Sequence, residues 1–142
     1  MRIVLDTNVL VSAFLKPQGK PARILQRVLS GEVTLLVDDR ILGEYCEVLS
    51  RPKFKLPETA KIEVLDYISR EGEVVPSESI EEDLPDADDL PLLEVAITGV
   101  ADALVTGNKR HFPADRLRGV RVLSPAEFLR RVEAEEAGGR GK

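Results

Sequence analysis

Apolar residues along the chain fall into short continuous runs and longer helical stripes that alternate. Ile3, Val4 and Leu5 form an apolar run with β-branched members, followed at once by Asp6, Thr7 and Asn8, which predicts a buried strand and its exit. Val9 to Leu15 predicts a helix that stops by Pro17, and Pro21 opens a second stripe (Ala22, Leu25, Val28, Leu29) closing near Gly31. Val33 to Val37 predicts the next strand. Asp38 or Asp39 can cap a helix to about Ser50, where Arg51-Pro52 ends it, and Pro57 precedes another from Glu58 to about Arg70. Val74-Val75 reads as a short strand, Leu92 to Ile97 as a short helix, and Ala103 to Thr106 and Val120 to Leu123 as strands. Ser124-Pro125-Ala126-Glu127 is a capping box with proline at the first helical position, so a last helix starts there and runs to about Glu135.

Strands alternating with helices predict an α/β fold of three layers, a central parallel sheet of four to five strands with helices on both faces. The chain of 142 residues reads as one domain over 1–136 with a flexible tail over 137–142, where three glycines cluster. No apolar stretch approaches the ~20 residues of a membrane helix, so the reading is a soluble, cytoplasmic protein with no membrane partner.

Composition narrows the chemistry. With 43% hydrophobic and 32% charged residues the chain can build a core. One cysteine, Cys46, excludes an internal disulfide, and its place beside the apolar arc of its helix predicts a packing role. One histidine, His111, excludes Cys/His zinc clusters and leaves a Ser-His-Asp triad a single candidate base. The net charge of −5 speaks against nucleic acid as a partner until its distribution is read. Glu78, Glu81, Glu82, Asp83, Asp86, Asp88 and Asp89 crowd into one window, leaving eighteen acids against twenty bases elsewhere. Such a window fits a solvated loop or a site that gathers cations.

In a parallel sheet, ligands bind beyond the carboxyl ends of the strands. Four polar residues fall on that edge. Asp6 follows the first strand, Glu44 lies on the helix after the second, Asp89 opens the helix before Ala103–Thr106, and Asn108 leaves that strand. On a helical wheel Ile41, Leu42, Tyr45, Val48 and Leu49 form one arc, with Glu44 about 40° from its edge and Glu47 about 100° from it, so Glu44 borders the core. Asp89 shares a face with Leu93 and Ala96 and leans inward, leaving Asp88 more exposed. Singly, each also fits a structural role: Asp6 and Asp89 as helix caps, Asn108 in a turn. Together, carboxylates brought to one edge repel and raise one another's pKa unless a cation neutralises them. Oxygen donors without Cys or His select a hard ion, Mg²⁺ or Mn²⁺.

These residues carry a resemblance. Ile3-Val4-Leu5-Asp6-Thr7-Asn8-Val9-Leu10, Glu44 within Arg40-Ile41-Leu42-Gly43-Glu44-Tyr45, Asp86-Ala87-Asp88-Asp89 leading to Leu93 and Ala96, and Asp102 with Val105-Thr106-Gly107-Asn108 resemble the PIN-domain family of metal-dependent ribonucleases over residues 1 to about 130. The branch it looks like comprises the toxins of toxin-antitoxin modules. The resemblance implies a PIN-like fold with Asp6, Glu44 and Asp89 as acidic metal ligands, and a fourth acid often standing where this chain has Asn108, a neutral and weaker ligand. Some members carry Asn there and Asp three residues on, where this chain has His111. Asp86 and Asp102 are candidates for the missing carboxylate, expected to act from behind the ligands, Asp102 as a loop cap.

The implied activity is hydrolysis of single-stranded RNA by metal-activated water, leaving a 5′-phosphate. Thr7, Asn8 and Thr106 are placed to fix the carboxylate rotamers, or to serve in turns and caps. Lys109, Arg110 and His111, adjacent to Asn108, are the candidate RNA contacts, with His111 a phosphate or loop contact rather than a base. Lys16, Lys20, Arg23, Arg51, Lys53 and Lys55 read as solvated surface. An antitoxin protein and a second copy of the chain, as a homodimer, are the implied partners. Two other readings stand beside this one: a degenerate PIN module that binds RNA or a partner without cutting, motivated by Asn108, and a phosphoryl-accepting domain with Asp6 as nucleophile, which lacks a second Asp where Asn8 stands.

Overall fold

Strand β1 (Arg2–Leu5) has no polar face to offer water, and Ile3, Val4 and Leu5 are fully buried at the centre of a five-stranded parallel sheet. The computed structural model of the chain describes residues 1–140. Strand β1 pairs on one side with β2 (Thr34–Val37), Ile3 opposite Leu35, and on the other with β4 (Ala103–Val105), Leu5 opposite Val105. Short strands β3 (Glu73–Val74) and β5 (Val122–Leu123) close the edges, giving the order β3-β2-β1-β4-β5. The chain works outward from β1 to β3, then crosses back to β4. The switch point in strand order therefore lies between β1 and β4, where a crevice opens at the carboxyl ends.

Helices cover both faces, as the alternation of side chains along β2 requires. Leu35 lines a small cavity of about 110 Å³ with Val28 of helix α2 (Lys20–Leu29) and Ile68 of helix α4 (Glu58–Glu71). Leu36 points the other way, toward Gly99 at the end of helix α5 (Leu90–Thr98). Helix α1 (Thr7–Leu15) packs on α2, helix α3 (Asp39–Leu49) on α1, α4 and α5, and helix α6 (Pro125–Arg140) on α2, β4 and β5. The result is the three-layer α/β/α architecture. No described helix is long and apolar enough to cross a membrane.

Local signals set most boundaries. Asp38 accepts from the Ile41 amide at 2.9 Å and starts α3. Ser124 and Glu127 form the reciprocal capping box, with Glu127 N–H to Ser124 Oγ at 3.1 Å and Ser124 N–H to Glu127 Oε1 at 2.8 Å. Two expectations change. Helix α6 continues through Ala137 to Arg140 instead of ending near Glu135, since glycine without a following proline weakens a helix but does not stop it, and Glu133 and Glu136 pair across to α2 with Arg23 at 2.5 Å and Arg27 at 2.8 Å. The remaining two residues of the expected tail, 141–142, lie outside the described residues. Cys46 is exposed instead of packed: it stands one step around α3 from Tyr45, past the edge of the buried Ile41, Tyr45, Val48, Leu49 stripe.

Gly99, the residue that ends α5, lies close against the sheet. A Cβ there would lie 2.4 Å from Leu36 Cδ2 and 3.1 Å from Val75 Cγ2, both on buried residues. Gly99→Ala is expected to lower stability by about 1–2 kcal/mol through overpacking, read as a lower urea midpoint with unchanged m.

Candidate metal centre

Asp6 is carried to the switch point by backbone pairing: its N–H donates to Val105 O at 2.9 Å, extending the β1–β4 ladder by one residue. Its carboxylate is buried and held at both oxygens. Oδ2 accepts from the Thr106 hydroxyl at 2.7 Å, and Oδ1 from the Asn8 amide at 3.4 Å as the N-cap of α1. The Asn108 amide in turn donates to Thr106 Oγ1 at 3.0 Å, so the turn leaving β4 orients the hydroxyl that orients Asp6. Behind Asp6, the buried Tyr45 hydroxyl donates to Leu5 O at 2.5 Å and ties α3 to the end of β1. The same helix turn presents Glu44, whose Oε2 accepts from Thr7 Oγ1 at 2.5 Å. Glu44 is half-buried and Glu47 exposed.

Asp89 reaches the same edge from a single 3-10 turn, Ala87–Asp89, that leads into α5. It is buried while Asp88, one step round, is exposed. Asp86 caps this turn through its Oδ1, which accepts from Asp88 N–H at 2.9 Å. His111, on the 3-10 turn Lys109–His111, brings Nδ1 to 3.0 Å from Asp89 Oδ2, and its Nε2 faces the Asn108 side-chain nitrogen at 2.9 Å. Donor atoms of Asp86, Asp89 and His111 lie within 4.8 Å of one another. Thus Asp86 and His111 belong to the acidic cluster.

Other residues do not converge. Asp102 precedes β4 at the opposite end of the sheet, where its carboxylate accepts from the Arg2 amide at 2.8 Å. Its loop-capping contact holds the first strand, and it lies too far along β4 to support a metal ligand. Lys109 is drawn away to Glu127 at 2.9 Å, leaving Arg110 exposed beside the cluster with no ion pair among the described residues. Arg23 and Arg51 are likewise paired, with Glu133 and Glu47.

The electrostatics of the cluster are unfavourable as it stands. Burial pushes the Asp6 carboxyl above its ordinary value, more than its two hydrogen bonds pull it down. Asp89 is pushed up to about 6 by burial first, then by the charges of Asp6 and Asp86. Among the described residues no lysine or arginine pairs with either. Buried like charges with oxygen and imidazole donors and no resident counterion are what a divalent cation would neutralise, so the donor set fits a metal.

One charged residue of importance lies outside every motif. Glu94 is buried on α5, where Oε1 accepts from Arg40 at 2.6 Å and Oε2 from the Ile80 amide at 2.8 Å. Arg40 also grips Asp38 at 2.7 Å and Ser77 at 2.9 Å. Together with Arg118 to Glu82 at 2.9 Å and the buried Leu84, these contacts strap the acidic window onto the body and so place Asp86 and Asp89. Its sequence signal is an acid inside the apolar run Leu90-Pro91-Leu92-Leu93-Glu94-Val95-Ala96-Ile97.

Two clefts flank the cluster. One of about 180 Å³ is lined by Arg40, Glu44, Ala87 and Asp88, and one of about 420 Å³ by Asn8, Ser12, Gly107, Asn108 and Arg110.

The sequence matches the family model of the PIN domain over residues 2–110. The fold resembles a chain in the crystal structure of VapBC2 from Rickettsia felis bound to a DNA fragment from their promoter, with a TM-score of 0.56 and 18% identity over 87% of this chain and 98% of that one. No curated protein matches the sequence.

Two outcomes follow from the charges. The native state holds a proton on Asp89 up to about pH 6, whereas the unfolded chain releases it near ~3.9, so stability falls as pH rises through that window and is level above it. Asp89→Asn should flatten that fall and stabilise the metal-free protein at pH 7 by about 1 kcal/mol, measured by thermal unfolding in chelator; an unchanged pH slope contradicts it. Glu94→Ala should lower stability by about 2 kcal/mol, seen in the urea midpoint, with faster amide exchange over residues 77–84.

Proposed function

The chain belongs to the PIN-domain family, and from that premise we propose that it is a Mg²⁺- or Mn²⁺-dependent endoribonuclease acting on single-stranded RNA, the toxin of a toxin-antitoxin pair. The observation that carries the reading is the pair of buried carboxylates at the sheet's switch point, Asp6 and Asp89, close enough that the charge of Asp6 helps push Asp89 up to about 6, with no lysine or arginine paired to either among the described residues. That arrangement destabilises the apo fold, and it gains a purpose once a cation is held there.

In this reading Asp6 and Asp89 hold the metal, Thr106 fixes the rotamer of Asp6, and Glu44 borders the site from α3. A bound Mg²⁺ or Mn²⁺ supplies a water of lowered pKa and neutralises charge on the scissile phosphate. Glu44 commits Oε2 to the Thr7 hydroxyl, which leaves Oε1 to accept a proton from the attacking water. RNA enters along the larger cleft, where Arg110 contacts phosphate and Asn8, Ser12 and the Gly107-Asn108 backbone offer hydrogen bonds. The shallow clefts and few aromatics suit an unstacked single strand held by its backbone better than a base-stacking platform. An antitoxin as partner is supported by the likeness to VapBC2, and a homodimer and a cytoplasmic location belong to the same reading.

Asp6→Asn and Asp89→Asn preserve shape while removing charge. Each should cut Mn²⁺-dependent cleavage of a single-stranded RNA, scored as 5′-phosphate products, by more than ~100-fold, beyond the usual effect of losing an outer contact, while the fold persists. Undiminished cleavage in either variant, or cleavage surviving EDTA, contradicts the assignment. Wild-type protein that binds metal and RNA but does not cut would instead be a binding module.

A further inference from the structure

His111 is the single histidine of the chain, and its ring is set within the acidic cluster. Nδ1 lies 3.0 Å from Asp89 Oδ2 and Nε2 lies 2.9 Å from the Asn108 side-chain nitrogen. The Asn108 amide can face Nε2 with its nitrogen or, turned over, with its oxygen, so the ring carries its proton on Nδ1, directed at Asp89, in the first arrangement and on Nε2 in the second. Without that proton, Nδ1 turns a lone pair toward the space it shares with Asp89 and Asp86, whose donor atoms are all within 4.8 Å of one another. Two donors bound ~2.1 Å from one ion stand ~3–4 Å apart, so small side-chain rotations suffice. Asn108 already occupies the position from which a ligating imidazole is oriented: with Nε2 protonated, rotation of its amide by a half turn offers Oδ1 as the acceptor.

We infer that His111 is a metal ligand of this centre, completing a site with Asp86 and Asp89 through Nδ1, and that Asn108 acts as the residue that positions the ring. The inference rests on the metal-centre reading above and adds a nitrogen donor to an all-oxygen set. The consequence is a shift in preference. Imidazole favours first-row transition ions over Mg²⁺, so Mn²⁺, Co²⁺ or Zn²⁺ should bind with an advantage that an oxygen-only site would not give. A plain structural role, in which the ring only donates to Asp89, predicts no such advantage. A phosphate contact predicts none either.

The single histidine makes the test unambiguous. Tag-free full-length protein is loaded with one equivalent of Mn²⁺ and examined by electron spin-echo modulation, once with natural isotope content and once with ¹⁵N-histidine. Expected is an imidazole ¹⁴N coupling that is replaced by ¹⁵N on labelling and disappears in His111→Gln, with the Mn²⁺:Mg²⁺ affinity ratio from calorimetry falling about tenfold in that variant. Absence of histidine nitrogen coupling in wild-type Mn²⁺ protein overturns the inference, whether or not the variant folds, because the isotope comparison needs no mutant. Nitrogen coupling without RNA cleavage upholds the ligand and removes the nuclease reading. Cleavage without nitrogen coupling does the reverse.

Discussion

Two carboxylates, Asp6 and Asp89, are brought to the switch point of the sheet and held largely out of water. Asp6 continues the β1–β4 hydrogen-bond ladder through its own amide, so its side chain leaves the central strand of the sheet directly at the switch point. Asp89 arrives from the other side on the turn that opens α5. Taking either charge out of water is unfavourable, and setting them near each other adds repulsion. Much of the surrounding structure can be understood as holding them there: the Thr106 hydroxyl on Asp6, the Tyr45 hydroxyl on the carbonyl just before it, and the Thr7 hydroxyl on Glu44. Each contact restricts a rotamer or a backbone position. None supplies a positive charge.

The acidic window serves this arrangement. It is an extended segment, but it is not free in solvent, because Glu94 and Arg40 clamp its beginning, Leu84 buries its middle and Arg118 pairs with Glu82. Glu94 is fully desolvated, and it is tolerated because both oxygens are occupied by donors that reach it from α3 and the strap. The net negative charge is therefore concentrated along the segment that leads to the acidic cluster, with Arg110 exposed in the neighbouring cleft. A charge total taken over the whole chain misses that distribution.

How much of the centre could be read from residue order depends on the kind of contact. The places of Asp6 and Asp89 were legible because one follows a strand and the other leads into a helix, each marked by its own local pattern, and that of Glu44 because the apolar arc of α3 leaves it at the edge of the core. Exposure of Asp88 against Asp89, and of Glu47 against Glu44, was legible from helical periodicity alone. Cys46 was misjudged because an apolar arc read from a wheel has soft edges, and one step past Tyr45 is already solvent. Asp102 was grouped with the site although it precedes β4 and so belongs to the other end of the sheet. Glu94 escaped notice because an acid inside an apolar run carries no indication of its partner.

From the sequence by itself came the succession of strands and helices, the parallel three-layer architecture and the edge at which the acids collect. Those features follow from period-two and period-3.6 patterning, caps and prolines, all of which act over a few residues. Tertiary structure alone decided which side chains share the centre. Thr106 reaches Asp6 across a separation of 100 residues, Arg40 reaches Glu94 across 54, and His111 reaches Asp89 across 22. Such pairings depend on how strands register and helices pack: Thr106 could be set near the carboxylates from its place at the end of a strand, but which partner each side chain meets is recorded by no local pattern. That is why Lys109, adjacent to Asn108 in the chain, is drawn off to Glu127, while its neighbour-but-one His111 turns into the cluster.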